Sequence, residues 1–189
     1  MRDLSTTSAE PPPDGPERVQ AEPVAERRRG GRPTFAFMRP RLSRWIALGF
    51  GSGLSPVAPG TVGTLWAWAV FALLDPWLWD AAWWALIGGG FLVGCWACER
   101  TARDLGVADH SGIVWDEVVA FWAVLLVVPA DFTSQLAAFF VFRAFDVLKP
   151  PPIRQIDRNM KGGFGVMLDD VMAAFYTVLA FALWVAVFR

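Results

Sequence analysis

Residues 113–130 read Ile113-Val114-Trp115-Asp116-Glu117-Val118-Val119-Ala120-Phe121-Trp122-Ala123-Val124-Leu125-Leu126-Val127-Val128-Pro129-Ala130. Apart from Asp116 and Glu117 the stretch is apolar throughout, and its length is close to what a helix needs to cross a hydrocarbon core of about 30 Å at a rise of about 1.5 Å per residue. Comparable runs lie upstream at 64–79 and 81–98 and downstream at 134–148 and 171–188. The pattern predicts an all-α protein, a polytopic membrane helical bundle of four to five transmembrane helices. The doubtful crossing is the fourth run, which is short and carries Arg143 and Asp146. Composition agrees. Of the 189 residues 54% are hydrophobic and 19% charged, with a mean hydropathy of +0.38, which excludes a disordered chain and is unusual for a soluble domain.

The formal net charge of −1 leaves no excess of cations for a phosphate backbone, so nucleic acid is excluded as a partner. The charge is unevenly spread. Nine of the 17 Lys and Arg precede residue 49, leaving eight bases against twelve acids in the apolar part. Residues 1–40 are rich in Pro, Glu and Arg, so they are expected to form a disordered cytoplasmic tail ahead of a membrane-embedded domain at 41–189. No short apolar core with a small-residue cleavage site follows the basic stretch, so a signal peptide is not expected. Lys and Arg in short flanking loops are retained on the cytoplasmic side. The tail, the 99–112 loop (Arg100, Arg103) and the 149–170 loop (Lys149, Arg154, Arg158, Lys161) therefore belong inside, while the connections at 75–80 and 130–134 contain no Lys or Arg. Trp77, Trp79, Trp83 and Trp84 are expected to form an interfacial belt at the outer face.

That topology gathers the polar stretches on one surface. Asp116 and Glu117 start the third run, and Asp169-Asp170 start the fifth. Ionisable groups on membrane helices normally face a partner or a polar cavity, although Asp at a helix start also satisfies a cap. Arg143, Asp146 and Lys149 share one side of the fourth helix at i, i+3, i+6 spacing. Carboxylates with cations point to a hard divalent ion, Mg²⁺, bridging to an anionic ligand. The Gly-rich segments at 49–64, with Ser55 and Thr61, and at 162–165 can cradle a phosphate or can be mere turns. Gly90-x-x-x-Gly94 fits helix packing in lipid. Cys95 and Cys98 are read as small buried hydrophobes. The single histidine, His110, is read as a loop residue or a proton carrier.

With these stretches assembled, the chain resembles the bacterial phosphatidylglycerophosphatase A family from about Trp45 onward. The resemblance rests on Gly49-Phe50-Gly51-Ser52-Gly53-Leu54-Ser55-Pro56, Ala58-Pro59-Gly60-Thr61-Val62-Gly63, Val114-Trp115-Asp116-Glu117, Phe142-Arg143 with Asp146 and Lys149-Pro150, Ile153-Arg154 with Asp157-Arg158-Asn159, Gly162-Gly163, and Asp169-Asp170. Pro151 departs from the aromatic residue that relatives favour there. The resemblance implies a Mg²⁺-dependent lipid phosphatase of the inner membrane, acting on phosphatidylglycerophosphate in the cytoplasmic leaflet. Asp116, Glu117, Asp146, Asp169 and Asp170 are the expected catalytic and metal-binding set. Ser55, Thr61, Arg143, Lys149, Arg154, Asp157, Arg158 and Lys161 are the expected phosphate-binding set.

The residues also narrow the chemistry by exclusion. No Cys is followed six positions on by Arg, no Asp-x-Asp occurs, and neither Lys is followed by Arg seven positions on. Metal-assisted attack by water then remains. Two other classes compete. A membrane transporter would place ionisable residues near mid-bilayer, and a CDP-alcohol phosphotransferase would carry Asp-x-x-x-Asp, which is absent.

Overall fold

The computed structural model describes residues 31–107, 110–151, 153–155, 160 and 162–188. Residues 1–30 of the expected tail, and the expected phosphate-binding residues Asp157, Arg158 and Lys161, lie outside the described residues. Regular structure among the described residues is entirely helical. The α-helices are α1 (Phe35–Met38), α2 (Leu42–Ala47), α3 (Pro59–Leu74), α4 (Asp80–Leu105), α5 (Trp115–Val127), α6 (Phe132–Leu148) and α7 (Gly163–Phe188), with 3-10 turns at Gly49–Leu54 and Asp75–Trp77.

Folded structure begins ahead of residue 41, inside the stretch the composition assigns to the tail. Thr34 Oγ1 accepts the Phe37 N–H at 3.3 Å and starts α1. Phe37 and Met38 are then buried with Leu48 and Leu105 in a small second core. Arg44 locks this corner to α4, donating from Nε to Asp104 at 3.0 Å and from a terminal nitrogen to the Phe37 carbonyl at 2.7 Å, with its guanidinium 4.0 Å from the Phe37 ring centre.

Helices α3 to α7 alternate in direction, and α5 lies in contact with α3, α4, α6 and α7. A helix that is apolar all round has to be enclosed, and residues 115–122 of α5 are all buried. Its indoles tie it to its neighbours. Trp115 Nε1 donates to the Gly90 carbonyl of α4 and Trp122 Nε1 to the Ala67 carbonyl of α3, both at 2.9 Å. Gly90 and Gly94 let α4 approach closely, as the small-residue spacing predicts: a Cβ on Gly94 would sit 2.6 Å from Met167 Sδ and 2.7 Å from the Trp115 ring. Trp77, Trp79 and Trp84 are exposed at the far end of the bundle. Trp83 is not part of that belt. It is fully buried, stacked on Phe71 with 4.5 Å between ring centres, and its Nε1 reaches Asp75 at 3.2 Å.

Two helices, Asp80–Leu105 and Gly163–Val187, are long and apolar enough to cross a membrane. Only 22% of the apolar window in each is buried inside the bundle, so neither is the core helix of a soluble protein. Their outer faces carry Leu92, Trp96, Phe175, Leu183 and Trp184, all exposed, an apolar surface that suits lipid. The helices depart from the sequence reading at their starts. α3 begins at Pro59 rather than at 64, and α7 begins at Gly163 rather than at 171.

Candidate active site

A cavity of about 270 Å³ opens at the end of the bundle where α3, α5 and α7 begin and α6 ends. All five expected carboxylates line it: Asp116 and Glu117 from the first turn of α5, Asp146 from α6, and Asp169 and Asp170 from α7. Arg143 and Lys149 line it too. Asp116, Glu117, Asp169 and Asp170 are all buried, Asp170 to 3% exposure. Five carboxylates against two cations leave the described lining with an excess of negative charge, which is costly in a low-dielectric site unless a cation joins it.

Three of the carboxylates are held by the two cations. A terminal nitrogen of Arg143 donates to Glu117 Oε1 at 2.8 Å and to Asp146 Oδ2 at 2.5 Å. Lys149 Nζ donates to Asp169 Oδ2 at 2.5 Å. Lys149 is the C-cap of α6 in a left-handed conformation, φ 43°, ahead of Pro150-Pro151, which cannot continue a helix. Neither Arg143 nor Lys149 engages the other two carboxylates. Asp116 Oδ1 and Asp170 Oδ2 are buried with no hydrogen-bond partner among the described residues.

Asp169 and Asp170 do not cap α7, because the helix starts well before them. Glu99 of α4 does so, its Oε2 accepting the Gly163 N–H at 2.7 Å while its Oε1 accepts from Arg103 Nε at 2.8 Å. A Cβ on Gly163 would overlap the Cys95 carbonyl. Gly163 therefore serves the close α4–α7 approach, while Gly162 borders the cavity.

Only the later part of the other Gly-rich segment, 49–64, reaches the cavity. The turn Gly49–Leu54 does not line the cavity. Ser55 Oγ donates to the Val57 carbonyl at 2.8 Å and lies away from the lining. Thr61 is half-buried on α3 and its side chain is not in the lining, and Arg154 is exposed with its guanidinium 3.5 Å from the Leu148 carbonyl. What borders the cavity is the start of α3 itself, through Ala58, Pro59 and Gly60. Ala58 has no side-chain cap and a left-handed backbone, φ 45°, so the first-turn amides have no partner within the helix, an arrangement suited to an anion. A Cβ on Gly60 would overlap Glu117 Oε1, so only glycine lets the α3 backbone lie against the Glu117–Arg143 pair. Gly60, within the 49–64 segment that can cradle a phosphate, and His110, read as a loop residue or a proton carrier, both border the cavity, though neither belongs to the expected site sets.

No group of three or more His, Cys, Asp or Glu side chains among the described residues is arranged to hold a metal ion by itself. Arg143 and Lys149 engage Glu117, Asp146 and Asp169. The residues nevertheless fit Mg²⁺, which keeps several waters and is commonly bound through one or two carboxylates plus substrate phosphate. Asp116 and Asp170, which neither Arg143 nor Lys149 engages, would supply that pair.

Fold and site together define a multi-pass helical membrane protein built around a buried acidic cavity at one end of its bundle. The family model for phosphatidylglycerophosphatase A matches residues 45–185, and the chain belongs to that family. It is 44% identical over 132 residues to phosphatidylglycerophosphatase A of Escherichia coli, covering 68% of this chain and 74% of the relative. It is 45% identical over 135 residues to phosphatidylglycerophosphatase A of Haemophilus influenzae, covering 71% and 83%. A putative phosphatidylinositol-3-phosphatase of Bacteroides thetaiotaomicron is 42% identical over 151 residues, covering 74% and 92%. No solved structure gives a significant match.

Proposed function

We propose that the protein is a lipid phosphatase hydrolysing the phosphomonoester of phosphatidylglycerophosphate to phosphatidylglycerol and inorganic phosphate, a step of phospholipid biosynthesis. The observation that carries this reading is the single cavity in which five carboxylates, two cations and an uncapped helix start meet. Water adds to phosphorus, the ester P–O bond breaks, and the leaving lipid alkoxide takes up a proton. Asp116 and Asp170 would hold Mg²⁺, which would supply charge neutralisation for the phosphate oxygens. Arg143 fixes Glu117 and Asp146 in place, Lys149 brings positive charge to the rim, and the α3 amides offer donors to phosphate. A transporter reading is disfavoured because the cavities farther along the bundle are apolar, lined by groups such as Ala137, Val141 and Phe181, or Leu92, Ala123 and Val178.

The purified chain is expected to release phosphate from phosphatidylglycerophosphate, to lose that activity with EDTA and to regain it with Mg²⁺. Undiminished release in EDTA would remove the metal from the reading. Faster release from phosphatidylinositol 3-phosphate would assign the other head group.

We place the cavity on the cytoplasmic face of the bacterial inner membrane, with five crossings and the C-terminus outside. The cationic segments support that side. α3, α5 and α6, of 16, 13 and 17 residues, cross only as part of the bundle, since at about 1.5 Å per residue they fall short of the full hydrocarbon thickness. Reporter fusions after Arg32 and after Arg189 are expected to report opposite sides. The same side for both would mean an even number of crossings, with α6 re-entrant.

A further inference from the structure

The cavity is also lined by His110, midway along the segment joining α4 to α5. This segment is pinned at several points. Gly106 ends α4 with φ 70°, its N–H bonded to the Ala102 and Arg103 carbonyls. The Ile113 N–H closes a turn onto the His110 carbonyl at 2.8 Å, and the Val114 N–H reaches the Ala47 carbonyl at 2.9 Å. Within that turn the Gly112 N–H donates to His110 Nδ1 at 2.9 Å. The Gly49–Leu54 turn braces it from behind, since a Cβ on Gly53 would overlap the Gly112 carbonyl.

The bond from Gly112 decides what the ring can do. A backbone amide only donates, so Nδ1 has to be the accepting nitrogen, and the ring's own N–H then lies on Nε2. We propose that His110 is a catalytic residue for the phosphomonoester reaction, a neutral imidazole whose Nε2–H donates to a phosphate oxygen, and not a proton carrier. The inference rests on the reading of the cavity as a phosphatase site. A fixed donor aimed at oxygen that gains charge in the transition state acts without reorganisation.

Two substitutions separate the ring's two nitrogens. In H110N the amide oxygen can replace Nδ1 as acceptor for Gly112 and keep the turn, but nothing reaches the position of Nε2. In H110Q the longer side chain places an amide N–H near that position, with no titratable group. Phosphate release from phosphatidylglycerophosphate, with excess Mg²⁺, is read as kcat and KM across pH, and melting in detergent reports folding. H110N is expected to lose about 10²-fold in kcat, the usual cost of one such donor, with melting near that of the unsubstituted chain. H110Q is expected to recover at least about tenfold of it, with an unchanged pH profile. Wild-type turnover in H110N would reduce His110 to a brace for the turn. H110Q as inactive as H110N, with one limb of the pH profile gone, would make it a proton carrier and overturn the proposal. If the unsubstituted chain released no phosphate, the underlying phosphatase reading would fail instead.

Discussion

D170N is expected to lower phosphate release at low Mg²⁺ by about 10²-fold or more, while the variant folds at least as well as the unsubstituted chain. A phosphate-bridging ion contributes several kcal/mol to the transition state, and each ~1.36 kcal/mol is tenfold in rate. The stability half of the expectation follows from the surroundings. Asp170 is buried on α7 beside Asp116 and Asp169, with Oδ2 lacking a hydrogen-bond partner among the described residues. Replacing its carboxyl by an amide of the same shape relieves like-charge repulsion and desolvation cost in a site already rich in carboxylates. D116N is expected to behave alike. E117Q is expected to differ, because Glu117 Oε1 is engaged by Arg143. A Mg²⁺ titration of phosphate release with each variant, alongside thermal melting in detergent, checks this. Normal turnover at low Mg²⁺ in both D116N and D170N would leave the metal without its ligands.

The convergence of Asp116, Glu117, Asp146, Asp169 and Asp170 was legible in the sequence because apolar runs and flanking cations order the helix ends, and helix ends order the carboxylates. Which carboxylate is held and which is open was not legible. That depends on Arg143 reaching across from α6 to α5 and on Lys149 adopting a left-handed backbone, both properties of packing. The role of the glycines was left open for a related reason. Gly49–Leu54 and Gly162-Gly163 have the composition of a phosphate cradle, but a missing side chain equally permits close backbone approach, and only the neighbours decide. Here the neighbours are the Gly112 and Cys95 carbonyls. Ahead of residue 41, two buried side chains, Phe37 and Met38, dock α1, and Arg44 joins this corner to Asp104. No local pattern announces that pairing.

R143M is expected to damage the fold itself. Arg143 is largely buried, its side chain 16% exposed, and one terminal nitrogen serves both Glu117 and Asp146. Methionine fills similar apolar volume but leaves two buried carboxylates without their cation. Breaking a buried pair from one side costs about 3–5 kcal/mol, enough to consume much of a typical domain's stability. Lysine in the same place is expected to recover only part of this, because a single ammonium on a flexible stem replaces a planar guanidinium. The double variant R143M/E117Q isolates the cause. Removing the Glu117 charge is expected to return part of the lost stability without returning turnover, since the cavity would still lack the cation that fixes Asp146 and shares its positive charge with the phosphate. Denaturation of R143M, E117Q and the double variant beside the unsubstituted chain in the same detergent, read with phosphate release, gives the coupling energy directly. Equal stability of R143M and the unsubstituted chain would mean that Glu117 and Asp146 are compensated from elsewhere, and Arg143 would then be left with a role in substrate binding alone.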